Sequence, residues 1–269
     1  LQAECQAHQQ QRTVGVTYQL AETADDSAAV LRLVHDRGEI SKLYWNTGGA
    51  DLPLAPWASQ WPALQSLGPD CRFRGTISAT RSSSGVSGLL SGELTNLNLD
   101  RLVSHNTSRK LSGKATVTIT SARLENDQLA ELQAHVAAGP GVLGTSLIDN
   151  AAKQWKLTAD DAANSPAKKL CRYEKLACEV SISEGRLKIV GACPESAGTL
   201  LMLADGSRWE TVADADHNPA SLIRVLSSGT EADVPATEAT RQLIRWLPLG
   251  KEAAAMGETT RPRAHLRGA

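Results

Sequence analysis

One hairpin phrase occurs twice in this sequence. Phe73-Arg74-Gly75-Thr76-Ile77-Ser78-Ala79 is echoed thirty-eight positions on by Leu111-Ser112-Gly113-Lys114-Ala115-Thr116-Val117. Each copy alternates apolar and polar residues, meets a polar turn, returns as a second alternating strand and runs into a Leu-rich segment. Alternation with period two is the mark of a strand that buries one face. An offset of this size is typical of repeating architectures. A chain built this way makes antiparallel hairpins, and each hairpin must cover its apolar side.

The pattern also fixes the register. A turn at Ser82-Ser83-Ser84-Gly85 sets Ile77 opposite Leu90, Gly75 opposite Gly92 and Phe73 opposite Leu94. A turn at Glu125-Asn126-Asp127-Gln128 sets Ile119 opposite Ala134 and Val117 opposite Val136, with Leu132 on the same side. In both hairpins the apolar sets coincide, and a slip of one residue would destroy the match. Phe73, Ile77, Leu90, Leu94, Val117, Ile119, Leu132 and Val136 thus form one uncharged face. They line either a core or a lipid site. Lys114, Thr116, Thr118, Thr120, Glu131, Gln133 and His135 form the solvated face.

A third hairpin spans Leu176 to Cys193 and turns at Glu184-Gly185, placing Cys178 opposite Gly191 and Cys193 opposite Leu176. Upstream, Thr13–Leu20, Ala29–His35 and Ile40–Trp45 alternate as strands. The Gly- and Pro-rich stretch 46–69 excludes long regular structure. Its Trp57 and Trp61 serve to pack the loop onto a sheet, or else form an aromatic platform for sugar. Leu97, Leu99, Leu102 and Val103 around Asp100 predict a helical turn. Leu143, Leu147, Ala151 and Trp155 predict an amphipathic helix over 142–157. Strands are expected at Thr199–Ala204 and Ser207–Ala213, then a helix over Pro219–Leu226 capped by Asn218.

The fold class expected is mainly β (α+β). Repeated antiparallel hairpins form a curved sheet or groove, with a few amphipathic helices on its apolar face or ends. The organisation is a polar segment 1–12 and a β-rich domain 13–226 with hairpins at 71–97, 111–137 and 175–193. A linker with a short helix follows at 227–249, then a disordered tail at 250–269.

Composition narrows the function classes. The 269 residues carry a net charge of −1, so no global field recruits nucleic acid or an anionic membrane. No apolar run is long enough to span a bilayer as a helix. The five cysteines, Cys5, Cys71, Cys171, Cys178 and Cys193, contain no CxxC pair. They read as buried or incidental thiols rather than as a disulfide framework, and the odd count leaves one unmatched.

Two motifs invite a ligand and are set aside. Gly139-Pro140-Gly141-Val142-Leu143-Gly144 matches GxGxxG, but Pro140 removes a backbone donor where a phosphate would sit, and the preceding strand belongs to an antiparallel hairpin. The glycines read as a strand-to-helix turn. Asp214, Asp216 and Asn218 have the spacing of a calcium loop, but Pro219 replaces its glycine and Val225 its bidentate glutamate. The six His share no ligand spacing. No cofactor, metal or catalytic residue is expected, and the chain reads as non-enzymatic.

Phe73-x-Gly75-Thr76-Ile77-x-Ala79, Leu90-x-Gly92-x-Leu94-x-x-Leu97-x-Leu99-x-x-Leu102 and Leu111-Ser112-Gly113-x-Ala115-x-Val117 together resemble the repeats of AsmA-like and TamB-like bacterial envelope proteins. Ser183-Glu184-Gly185-Arg186-Leu187 resembles a strand–turn–strand phrase of the same family, and the likeness covers about 70–210. It implies a β-groove in the periplasm, anchored in the inner membrane through a segment outside this sequence. Phospholipid acyl chains would lie along its apolar lining in outer-membrane maintenance, with other envelope proteins as partners. The alternative is a closed β-rich structural or interaction domain without lipid cargo, and a third, ranked below both, is an enzyme of unrecognised mechanism.

Overall fold

The computed structural model describes residues 2–8, 11–18, 29–36, 39–59, 62–104, 109–160, 169–212 and 215–226. The chain opens with strands β1 (Gln2–His8), β2 (Gln11–Tyr18), β3 (Ala29–Asp36) and β4 (Glu39–Asn46), followed by the short β5 (Leu52–Pro53). Single 3₁₀ turns at Ala55–Ser59 and Pro62–Leu67 lead into the first repeated hairpin, β6 (Arg72–Ser82) and β7 (Gly85–Asn98). A helical turn at Asp100–Ser104 precedes the second, β8 (Lys114–Glu125) and β9 (Gln128–Ala138). Next come β10 (Gly141–Gly144), α1 (Thr145–Trp155) and β11 (Thr158–Ala159). The third hairpin is β12 (Leu170–Ser183) and β13 (Arg186–Gly191), and the described chain ends with β14 (Thr199–Leu203), β15 (Arg208–Glu210), β16 (Asp216–His217) and α2 (Ala220–Leu226).

These strands form one sixteen-stranded antiparallel sheet whose main path runs β1-β2-β3-β4-β6-β7-β8-β9-β12-β14-β15-β11. The fold is therefore mainly β with few helices, as the alternation predicts. Antiparallel order places the tight turns after β6, β8 and β12 at one end of the sheet. The connections 47–71, 99–113 and 139–169 leave from the opposite end. Tight turns cannot cover a sheet face, whereas long connections can, so the two ends are unlike from the start.

The registers deduced for the repeats are those observed. Phe73 pairs with Leu94, Gly75 with Gly92 and Ile77 with Leu90. Val117 pairs with Val136 and Ile119 with Ala134. Gly75 and Gly92 have φ of 156° and 145°, and a Cβ on either would lie within 2.3 Å of a carbonyl oxygen across the pair. Only glycine fits there, and the Phe73 ring lies over both, filling the space their missing side chains leave.

The second hairpin is less regular than alternation implies. Its register shifts once between Arg123 and Leu124 and back between Ile119 and Ser121. Ala130 is the extra residue in β9 and Thr120 the extra residue in β8, so the two bulges cancel. Between them they turn Ala122 onto the apolar side, where it pairs with Leu90 and Leu132 and is buried.

Other expectations move. The polar opening segment forms β1, an element not expected there. The strand expected from Leu111 begins at Lys114. Leu111 instead makes an isolated bridge to Leu143, and Gly113 turns the chain with φ 122°. The helix expected over 142–157 starts at Thr145, because Gly141–Gly144 pairs with Leu170–Tyr173 as a strand. Leu176 faces Leu201 and Ala138 rather than Cys193, because β13 ends at Gly191 and the Cys193 amide turns to the Thr199 carbonyl at 2.9 Å. Asn218 caps α2 as expected, its Oδ1 accepting the Ala220 amide at 2.8 Å. Trp61, the linker helix at 227–249 and the tail at 250–269 lie outside the described residues.

Candidate apolar groove

The eight residues singled out from the sequence share one face and fall into cross-strand rows. One row runs Phe73–Leu94–Val117–Val136–Cys178 through β6, β7, β8, β9 and β12. A second runs Leu31–Trp45–Ile77–Leu90–Ala122–Leu132–Ile182–Leu187, from β3 to β13. Ile119 lies between Gly92 and Ala134 in a third, which continues to Val180 and Ile189. A fourth, near the tight turns, is Leu33–Leu43–Ala79–Gly88–Leu124–Leu129. No charged residue stands in any of these rows. Such a surface gains nothing from water and must be covered.

Cover is uneven. Phe73 and Ile119 are buried, whereas Ile77, Leu90, Leu94, Val117, Leu132 and Val136 are only half-buried. At the loop end, the segment after β4 closes the groove. Trp45 lies 5.7 Å from Trp57 and 5.5 Å from Phe73 between ring centroids, so Trp57 packs its loop onto the sheet. The Thr47 amide donates to the Gly75 carbonyl, and Thr47 Oγ1 accepts the Gly75 amide, each at 3.0 Å, which satisfies a fully buried hydroxyl. Beyond β9 the cover is fuller, although Leu176 and Val180 stay half-buried. Ile182 and Leu187 are 2% and 0% exposed, in one core cluster with Ile148 and Ala151 of α1 and Ile223 and Val225 of α2. β16 returns to pair with Leu187 and Lys188, α2 follows it directly, and Trp155 Nε1 donates to Ser221 Oγ at 3.0 Å, which ties α1 to α2.

The opposite face is polar. Arg74 pairs with Glu93 at 2.5 Å and with Asp51 at 3.6 Å, and Arg123 pairs with Glu125 and Glu131. Tyr44 and Leu89 are exceptions, 40% and 58% exposed. A shallow depression of about 240 Å³ between Arg32, Lys42, Tyr44 and Thr80 lies on this side.

The motifs set aside on sequence have structural occupations. Gly141 packs against Tyr173 and the Ser112 carbonyl, where a Cβ would lie 2.0 Å from that oxygen. Tyr173 is fully buried and donates to the Ser112 carbonyl at 2.7 Å, and burial pushes its phenol up to about 12. The glycines therefore let β10 approach its neighbours; they do not form the simple strand-to-helix turn expected. Asp216 pairs with Arg186 at 3.4 Å. Among the described residues no group of three His, Cys, Asp or Glu side chains could hold a metal. Cys71, Cys178 and Cys193 are free thiols, and burial raises Cys71 to about 11 and Cys178 to about 12. Such thiols are poor nucleophiles at neutral pH.

No protein-family model, curated protein or solved structure matches the chain. Among the described residues, no helix is long and apolar enough to cross a membrane.

Sequence reasoning found the part of the face that the repeats build and missed its extension. Leu31, Leu43 and Trp45 were visible as apolar positions of alternating strands, but their pairing to β6 crosses a long loop. Ala122 stands at an even position in an odd-facing strand, and the bulge that turns it has no local signature.

Proposed function

We propose that this chain is a non-enzymatic, AsmA-like envelope protein whose groove holds phospholipid acyl chains. One observation carries the reading: the apolar rows of β6–β9 are free of charge, continuous with those of β3 and β4, and half-covered by the protein's own residues. An acyl chain is uncharged and flexible, and burying it would remove water from both surfaces at roughly 25 cal/mol per Å². The half-buried residues Ile77, Leu90, Leu94, Val117, Leu132 and Val136 would contact it, while Phe73 and Ile119 support the floor. The resemblance adds the bacterial periplasm as the location and outer-membrane maintenance as the role.

The other reading, a closed structural or interaction domain, is favoured by the full burial of Ile182, Leu187 and Ile189. Mass spectrometry of organic extracts of the purified chain separates the two. Co-purified phospholipid, lost in Leu94→Asp while the circular dichroism is kept, is the expected result. An extract without lipid, together with no uptake of a fluorescent fatty acid, would sink the lipid reading.

A further inference from the structure

The apolar face of the array ends differently at its two ends. At the loop end Trp45, Trp57 and Phe73 close it. At the turn end it runs into charge. β6 and β7 pair without a break from Arg72–Thr95 to Ser82–Gly85. Period two therefore carries the side of Ile77 and Ala79 on to Arg81, and the side of Leu90 and Gly88 on to Val86. Arg81 pairs with Val86 and is exposed, one step beyond the row Leu33–Leu43–Ala79–Gly88–Leu124–Leu129.

Arg81 shares a polar depression of about 410 Å³ with Ser82, Ser83, Ser84 and Asp127. The second hairpin supplies the carboxylate. Asp127 Oδ1 accepts the Val86 amide at 3.2 Å, the Asp127 amide donates to the Val86 carbonyl at 2.8 Å, and the Asn126 amide donates to Ser87 Oγ at 3.1 Å. Asn126 and Asp127 have φ of 51° and 66°, the left-handed turn that brings this carboxylate back against the first hairpin. Its other oxygen, Oδ2, lies 2.7 Å from where a Cβ on Gly85 would stand.

An uncharged groove thus opens at one end onto a cation and an anion side by side. That order of surfaces matches an amphiphile whose head carries both charges next to its tails. We infer that the turn-end depression takes the headgroup of a zwitterionic phospholipid of the ethanolamine class. Its phosphate would lie against Arg81 and the serine hydroxyls, its ammonium against Asp127, and its acyl chains along the rows toward Phe73. A guanidinium fork suits phosphate oxygens. The Asp127 carboxylate repels a head that carries a phosphate and no cation, so the same depression disfavours a glycerol head. The inference rests on the acyl-chain reading of the groove and adds which way the lipid lies and which head it carries.

Short-chain phosphatidylethanolamine and phosphatidylglycerol with identical acyl chains, each below its micelle concentration, test this by titration into the purified chain with tryptophan fluorescence as the readout. The ethanolamine lipid should bind roughly fivefold tighter than the glycerol lipid. Asp127→Asn keeps an oxygen for the Val86 amide and should erase that preference. Arg81→Gln should weaken both lipids, again roughly fivefold, with the circular dichroism unchanged. Phosphoethanolamine, which has no acyl chains, should bind far more weakly than the lipid. The comparison of the two lipids on the unaltered chain needs no variant, so it decides even where a variant unfolds. Equal binding of the two lipids, a preference that survives in folded Asp127→Asn, or unchanged binding in Arg81→Gln would each overturn the headgroup site and leave the acyl-chain reading standing. Phosphoethanolamine binding as tightly as the lipid would separate the depression from the groove and overturn it too. Binding of neither lipid would sink both readings.

Discussion

The hairpin array β6–β9 and the covered region β12–β14 present the same kind of apolar face to different surroundings. Both alternate, both lack charge on that face, and the rows pass from one to the other without a break at Val136–Cys178 and Leu132–Ile182. Over the covered region, α1, α2 and β16 complete a core in which Leu187 is 0% exposed. Over the array no helix of the described residues completes such a core, and Leu90, Leu94 and Val136 stay half-buried. Identical strand chemistry thus yields a core or a groove according to what returns across it. The difference lies in connections, not in strands.

Truncating each face gives the largest contrast. Leu187→Ala removes a side chain with no room to relax and should cost about 2–5 kcal/mol in urea unfolding. Leu90→Ala, at the same row in the array, should cost about 1 kcal/mol, since part of its surface already lies outside the core. Equal losses would mean that the array is as closed as the covered region. Alkali tests the boundary between them. Burial, with a smaller contribution from Cys193, raises the Cys178 thiol from 9 to about 12 in the fold. The unfolded chain loses this proton near pH 9 and the folded chain holds it. Stability from Cys178 is therefore complete below pH 9 and is lost as pH rises toward 12, by an amount on the order of a few kcal/mol. Cys178→Ala should flatten that part of the stability profile, as followed by fluorescence across pH 8–11.

The array is the region where sequence reading went furthest, for a physical reason. A hairpin is local, and its register follows from turn length and alternation, so Ile77–Leu90 and Val117–Val136 were legible. The Ile119–Ala134 pair was legible only because the bulges at Ala130 and Thr120 cancel; either alone would have put it out of register. The covered region was opaque for the opposite reason. That β16 climbs back to pair with Leu187, and that α2 then meets α1, depends on packing between residues far apart in the chain. β1 was missed because Ala3, Cys5 and Ala7 are weak apolar signals among glutamines.

Gly92→Ala probes what bends the array. The new Cβ would lie 2.3 Å from the Arg74 carbonyl oxygen at φ 145°, so the β6–β7 pair must part or twist. The expected cost is about 1–3 kcal/mol by denaturant unfolding. A Gly85→Ala variant offers the comparison at the turn end, where the nearest atom, at 2.7 Å, is a side-chain oxygen of Asp127 rather than a backbone carbonyl. Gly92→Ala should therefore cost more than Gly85→Ala, and the reverse order would place the critical bend at the turns.

The polar face should give the smallest effect. Arg74 pairs with Glu93 and Asp51 from a side chain that is 48% exposed. An ion pair in water gains little, because solvent screens it and two long side chains must be held in place. Arg74→Ala should therefore shift urea unfolding by under about 1 kcal/mol, and less again at high salt. The same variant should leave any co-purified lipid unchanged, since Arg74 stands on the face opposite Phe73 and Leu94. If Arg74→Ala abolished lipid while Leu94→Asp did not, the cargo would lie on the polar face, and the half-covered rows of the array would be only an incompletely closed core.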